Sequence, residues 1–186
     1  MVGHPVHRRG GEGRLAQNLR AVLDRRLSPL AVVLADTHIP RRAHALPGGL
    51  VPHLEKADLI LHAGDLILPW VLDELASYAP ACAVKGNMDP PGVALPETLE
   101  FDFGGAKIAV IHDSGRKEGR RKRLQKRFPE ARVAVFGHSH VPFLEDEDGL
   151  LLLNPGSPTD KRRQPQHTFA LLYAKEGNVQ AEILTL

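Results

Sequence analysis

The sequence predicts an α/β protein in which helix-linked and hairpin-linked strands build a mixed sheet or two stacked sheets. Three observations carry this. Five continuous apolar runs each stop abruptly at polar residues, as strands covered on both faces do. Segments of helical character lie between some of these runs. Three further stretches turn back on themselves at glycine, the mark of hairpins.

In chain order, the apolar runs are "LAVVLAD" (30–36), "ADLILHAGD" (57–65), "ACAVKGN" (81–87), "KIAVIHD" (107–113) and "ARVAVFGH" (131–138). Helices are expected over 68–78, "LPWVLDELASY", and 118–128, "EGRRKRLQKRF". Hairpins are expected at 98–111 around Gly104-Gly105, at 142–154 around Asp148-Gly149, and in the tail at Glu176-Gly177-Asn178. The first 28 residues show a single helical pattern of Leu15, Leu19, Val22, Leu23 and Leu27. They are expected to form a helical extension (1–28) appended to one domain (29–186).

A chain of 186 residues, 42% apolar and 25% charged, can bury one ordinary core. A net charge of +2 is too small to imply nucleic-acid binding by itself. The single cysteine, Cys82, excludes an internal disulfide and a thiolate zinc site, leaving His, Asp and Asn as ligands for any metal. The arginine-rich start followed by "LSPLAVVLAD" imitates a signal peptide, but its apolar part is very short, so a cytoplasmic location is expected.

The polar residues just past the strands are Asp36, His38, Asp65, Asn87, His112, His138 and His140. Ligands gather at the carboxyl ends of strands in α/β sheets because the loops there converge on a crevice. One histidine in such a place would be unremarkable. Four with two aspartates and an asparagine fit a mixed N/O site for Mn, Ni, Co, Fe or Zn. Seven ligands exceed the need of one ion, whereas two ions sharing a carboxylate would have four each. His138 and His140 could still chelate one ion, serve two, or fill space beside Gly137.

The motifs "ADTH", "AGD", "KGNMD", "IHD", "GHSH" and "NPGS" resemble, in order and spacing, those of the calcineurin-like metallophosphoesterases, in particular the small bacterial and archaeal phosphodiesterases. The resemblance runs from about Leu30 to the C-terminus. It implies a four-layer α/β/β/α sandwich of two mixed β-sheets flanked by helices. It further implies one ion on Asp36, His38 and His140, a second on Asn87, His112 and His138, and Asp65 bridging them. The expected function is that of a metal-dependent phosphodiesterase, a hydrolase using two divalent ions, with Mn first in order. Asp65, Asn87 and His112 are the expected catalytic residues, and a phosphodiester, nucleotide or nucleic acid the expected partner. The oligomeric state is open, a homo-oligomer included.

Two departures from the family pattern concern the chemistry. Met88 follows Asn87 where better-known members have a histidine that protonates the leaving group, and Ser114 stands where the phosphodiesterase branch often has another histidine. Many members of the phosphodiesterase branch also lack the first of these histidines, so activity is still expected, with the leaving-group acid unassigned. Two other readings compete with hydrolysis. One is a non-catalytic scaffold on the same fold, as in the eukaryotic retromer subunit. The other is a nucleic-acid-binding protein using the basic stretch 116–127, which has eight Lys or Arg and one Glu. A solvated helix face is the plainer reading of that stretch, and His62 reads as a packed strand residue rather than a ligand.

Overall fold

The computed structural model describes residues 28–186. The helical extension expected over 1–28 therefore lies, Ser28 apart, outside the described residues.

Among the described residues, ten strands form two five-stranded sheets. The first, ordered β10-β9-β1-β2-β3, contains β1 (Leu30–Leu34), β2 (Leu59–His62), β3 (Ala81–Ala83), β9 (Thr168–Lys175) and β10 (Asn178–Thr185). The second, ordered β4-β5-β6-β8-β7, contains β4 (Thr98–Phe103), β5 (Ala106–Ile111), β6 (Val133–Val135), β7 (Phe143–Glu147) and β8 (Leu150–Asn154). The helix α1 (Val51–Leu54) follows a single 3₁₀ turn, α2 (Trp70–Ala76) links β2 to β3, and α3 (Arg120–Arg127) links β5 to β6. All three expected hairpins form: β4 with β5, β7 with β8, and β9 with β10. The helices are shorter than their patterns, because Pro69 caps α2 and Phe128 leaves helical geometry after α3.

Alternation within each apolar run decides the layering. Ala31, Val33 and Ala35 of the β1 segment face Ile108, Val110, Val133, Val135, Leu151 and Leu153 of the second sheet. Val32 and Leu34 point the other way, onto Leu50, Leu54, Val71 and Leu75 from the helical layer. Across the molecule, Ala109, Ala134 and Phe136 pack on Leu124 and Phe128. The result is the α/β/β/α sandwich, with both sheets mixed.

Parallel pairing sets up the crevice. β1, β2 and β3 run parallel in one sheet, and β5, β6 and β8 in the other. Their carboxyl ends therefore emerge on the same side of each sheet. The five loops after β1, β2, β3, β5 and β6 carry all seven polar residues picked out above.

Candidate metal centre

Five of the seven residues have left-handed backbone: Asp36 (φ 55°), His38 (47°), Asp65 (62°), His138 (67°) and His140 (57°). This geometry costs a side-chain-bearing residue about 1–2 kcal/mol, and such strain clusters at functional sites. Hydrogen bonds hold it in place. The Asp36 N–H donates to Gly64 O at 3.0 Å, and the His38 N–H to Asp65 O at 2.9 Å.

The side chains converge. His38 Nε2 and His140 Nε2 lie 3.2 Å apart, and Asp36 Oδ1 is 3.6 Å from His140 Nε2. The His140 Nδ1–H donates to the Asp160 carbonyl at 2.5 Å, which leaves Nε2 as the ring's lone-pair atom. Likewise His112 Nδ1–H donates to Ala63 O at 2.7 Å and turns its Nε2 inward. Asn87 Oδ1 sits 2.9 Å from His112 Nε2 and 2.8 Å from His138 Nδ1. Between the two sets lies Asp65, whose Oδ2 is 3.6 Å from His38 Nε2 and 3.4 Å from His112 Nε2. His138 and His140 thus belong to different sides of the crevice.

Two groups among the described residues have the geometry to hold a metal ion: Asp36, His38 and His140, and Asp36, Asp65 and His112. The fit has a second support. Asp36 Oδ2 is buried without any hydrogen-bond partner, a costly state for a carboxylate oxygen unless a cation meets it. Burial pushes the Asp36 carboxyl up to about 7. Burial also depresses His140, to about 4, and His38. For Asp65 burial acts upward, but the hydrogen bond and charge of His112 outweigh it and hold the carboxyl below its usual range. His112 is raised in turn, its own burial being outweighed by Asp65.

Glycine makes the close approach feasible. A Cβ on Gly86 would lie 2.0 Å from Asp65 Oδ1, and one on Gly137 would lie 3.0 Å from Asp36 Oδ2.

Further residues around the centre support it through hydrogen bonds to the loop backbone. Asp89, in the KGNMD motif, has the place in sequence of a group orienting imidazoles or of an exposed turn carboxylate. It is buried and instead accepts three backbone N–H bonds, from Asp65 (3.0 Å), Ile67 (2.7 Å) and Gly86 (2.7 Å). Asp113 is an exposed turn residue accepting from the Gly115 N–H. Asn154 ties its own turn to Gly137 O, and the Ser157 hydroxyl donates to the Asp36 carbonyl at 2.8 Å. Thr37, Thr159 and Asp160 were missed, since nothing in their local sequence marks them as partners of the motif residues.

The basic stretch is largely structural. Arg121 donates to Glu145 Oε1 at 2.6 Å and to Leu150 O at 2.5 Å, binding α3 to the β7–β8 hairpin. Arg123 donates to the carbonyls of Ser114, Arg116 and Glu118, and Arg120 stacks on Phe136 at 4.6 Å. Arg127 does reach the crevice. With Lys85, Asn87, Glu97, His112 and Asp113 it lines a cavity of about 510 Å³.

Residues 30–177 match the family model of the calcineurin-like phosphoesterase superfamily domain. The chain belongs to this superfamily. It is 39% identical over 155 residues to a "Probable metallophosphoesterase" of Methanothermobacter thermautotrophicus, covering 82% of this chain and 90% of that one. Among solved structures, Vps29 of Entamoeba histolytica complexed with Zn²⁺ is 25% identical with a TM-score of 0.66, over 84% of this chain and 98% of the other. Vacuolar Protein Sorting 29 of Cryptosporidium parvum shares the fold, with a TM-score of 0.71 at 20% identity over 86% and 98%.

The likeness to Vps29 corrects the expected activity. Vps29-type proteins are a catalytically inactive branch of the superfamily, so the hydrolase reading and its phosphodiester, nucleotide or nucleic-acid partner are overturned. Met88, the departure noted after Asn87, is 38% exposed at the crevice rim. Metal-binding capacity remains. Among the described residues no helix is long and apolar enough to cross a membrane.

Proposed function

We propose that the chain is a non-catalytic metal-binding scaffold, in which a metal centre fixes the crevice loops and so presents their rim to a protein partner. Asp36, His38 and His140 hold one divalent ion; Asn87, His112 and His138 hold the other; Asp65 bridges them. The observation that carries this is the place of Asp65 Oδ2, within 3.6 Å of an imidazole from each set. The donors suit Mn first, with Ni, Co, Fe or Zn as alternatives. What the ions supply when bound is cross-linking of five loops and neutralisation of two carboxylates. In this reading residues 29–186 are the functional unit, and Cys82 as the lone cysteine supports a reducing, cytoplasmic setting.

A ligand at 100 times its Kd stabilises its folded host by about 2.7 kcal/mol. Thermal melting of the purified chain with and without Mn²⁺ or Zn²⁺, beside an aryl-diester assay of the same samples, tests the proposal. Expected are a higher melting temperature with metal, no such rise in Asp65→Ala, and no hydrolysis above the buffer rate. Absence of metal uptake by the wild type overturns the metal centre. Turnover that vanishes in Asp65→Ala overturns the scaffold.

A further inference from the structure

His62 is the one motif-adjacent imidazole that the ligand set leaves unused. It ends β2, is 0% exposed, and lies three residues before Asp65. Its Nδ1 is 3.2 Å from the Gly64 backbone N–H, and its Nε2 is 3.1 Å from Thr37 Oγ1. Thr37, also 0% exposed, stands between Asp36 and His38.

The chemistry of the partners settles the ring's proton. A backbone N–H can only donate, so Nδ1 must accept, and a neutral imidazole then carries its hydrogen on Nε2. Burial keeps the ring neutral, with a pKa lowered to about 3 and the His112 charge acting in the same direction. The Nε2–H accordingly donates to Thr37 Oγ1.

We propose that His62 and Thr37 are a positioning pair: one neutral ring, held as the Nε2–H tautomer, ties the Asp36–His38 loop to the Gly64–Asp65 loop and sets the separation of the two ligand-bearing carboxylates. This rests on the metal centre proposed above. The ring touches neither carboxylate and works through backbone it holds in place. Gly64, whose N–H it accepts, has φ 93° and returns its carbonyl to the Asp36 N–H at 3.0 Å. Thr37 is fixed from the other side as well, since the Thr159 hydroxyl donates to Thr37 O at 2.6 Å. The arrangement closes a ring of hydrogen bonds, His62 to Thr37 and Gly64 to Asp36, directly beneath the site. Partners of this kind typically alter metal affinity about 10- to 100-fold when removed.

The test combines one spectrum with one titration. Long-range ¹H–¹⁵N NMR of the metal-free wild type at neutral pH is expected to show His62 as the Nε2–H tautomer. Calorimetric titration with Mn²⁺ is expected to show binding about 10- to 100-fold weaker in Thr37→Val and in His62→Phe. Thr37→Ser, which keeps the hydroxyl acceptor, should bind close to wild type. The double variant should bind no more weakly than the worse single one, because both remove the same link. Should Thr37→Val fail to fold, His62→Gln replaces it, with weakened binding again expected because the Gly64 arm is lost. An Nδ1–H or protonated ring, or Mn²⁺ bound by the folded variants as tightly as by wild type, overturns the pairing and leaves the metal centre standing. A wild type that takes up no Mn²⁺ overturns both.

Discussion

Asp36 illustrates how a single residue trades stability for binding. Its Oδ2 is buried and unpartnered, and its carboxyl is raised from 3.8 to about 7. A raised folded pKa means that the folded chain holds a proton the unfolded chain has released. Asp36 therefore contributes stability to the metal-free protein fully below 3.8 and loses it as pH rises through about 7. Asp36→Asn should melt higher than the metal-free wild type at pH 8, by about 2–4 °C for each kcal/mol recovered, with the gain shrinking towards acid pH, and it should no longer take up metal. The same shift predicts that metal binding below about pH 7 releases a proton from Asp36. Calorimetry in buffers of different ionisation enthalpy measures that proton, and buffer-independent heats at pH 6 would contradict the assignment. The motif residues were visible in the sequence because each sits just beyond an apolar run. Thr37, Thr159, Asp160 and the role of Asp89 were not, because they act through backbone contacts between loops distant in sequence.

At the scale of elements, the strands are governed by alternation and the loops by close approach. The five apolar runs and three glycine turns were legible, since each depends on a local pattern that tertiary contacts reinforce. Helix ends were less so: Pro69 and Phe128 cut both helices short of their periodicity. The loop after β3 approaches Asp65 so closely that Gly86→Ala should displace Asp65 or Asn87. We expect that variant to stay folded by circular dichroism while losing metal-dependent stabilisation. The basic helix shows what composition conceals, because its charge reads most plainly as a solvated face, with a polyanion partner as the alternative. Geometry instead assigns Arg121 and Arg123 to hydrogen bonds with carbonyls and Glu145. Arg121→Ala should therefore destabilise the chain by loosening α3 from the β7–β8 hairpin, by about 1–3 kcal/mol in chemical denaturation.

For the whole molecule, the core between the sheets forms the packed floor beneath the crevice loops. Leu61 is fully buried there, and Leu61→Ala should cost about 2–5 kcal/mol, read as a lower denaturation midpoint with metal ligands untouched. The family and its four-layer sandwich could be read from ordered motifs, whereas activity could not. Fold and motifs do not decide activity, because one fold hosts proteins of different function. In the proposed centre one aspartate joins two ions. Anomalous X-ray diffraction from Mn²⁺-loaded crystals tests it most directly. Two peaks about 3.5–4 Å apart, both in contact with the Asp65 carboxylate, are predicted; a single peak, or ions bound away from Asp65, would contradict it.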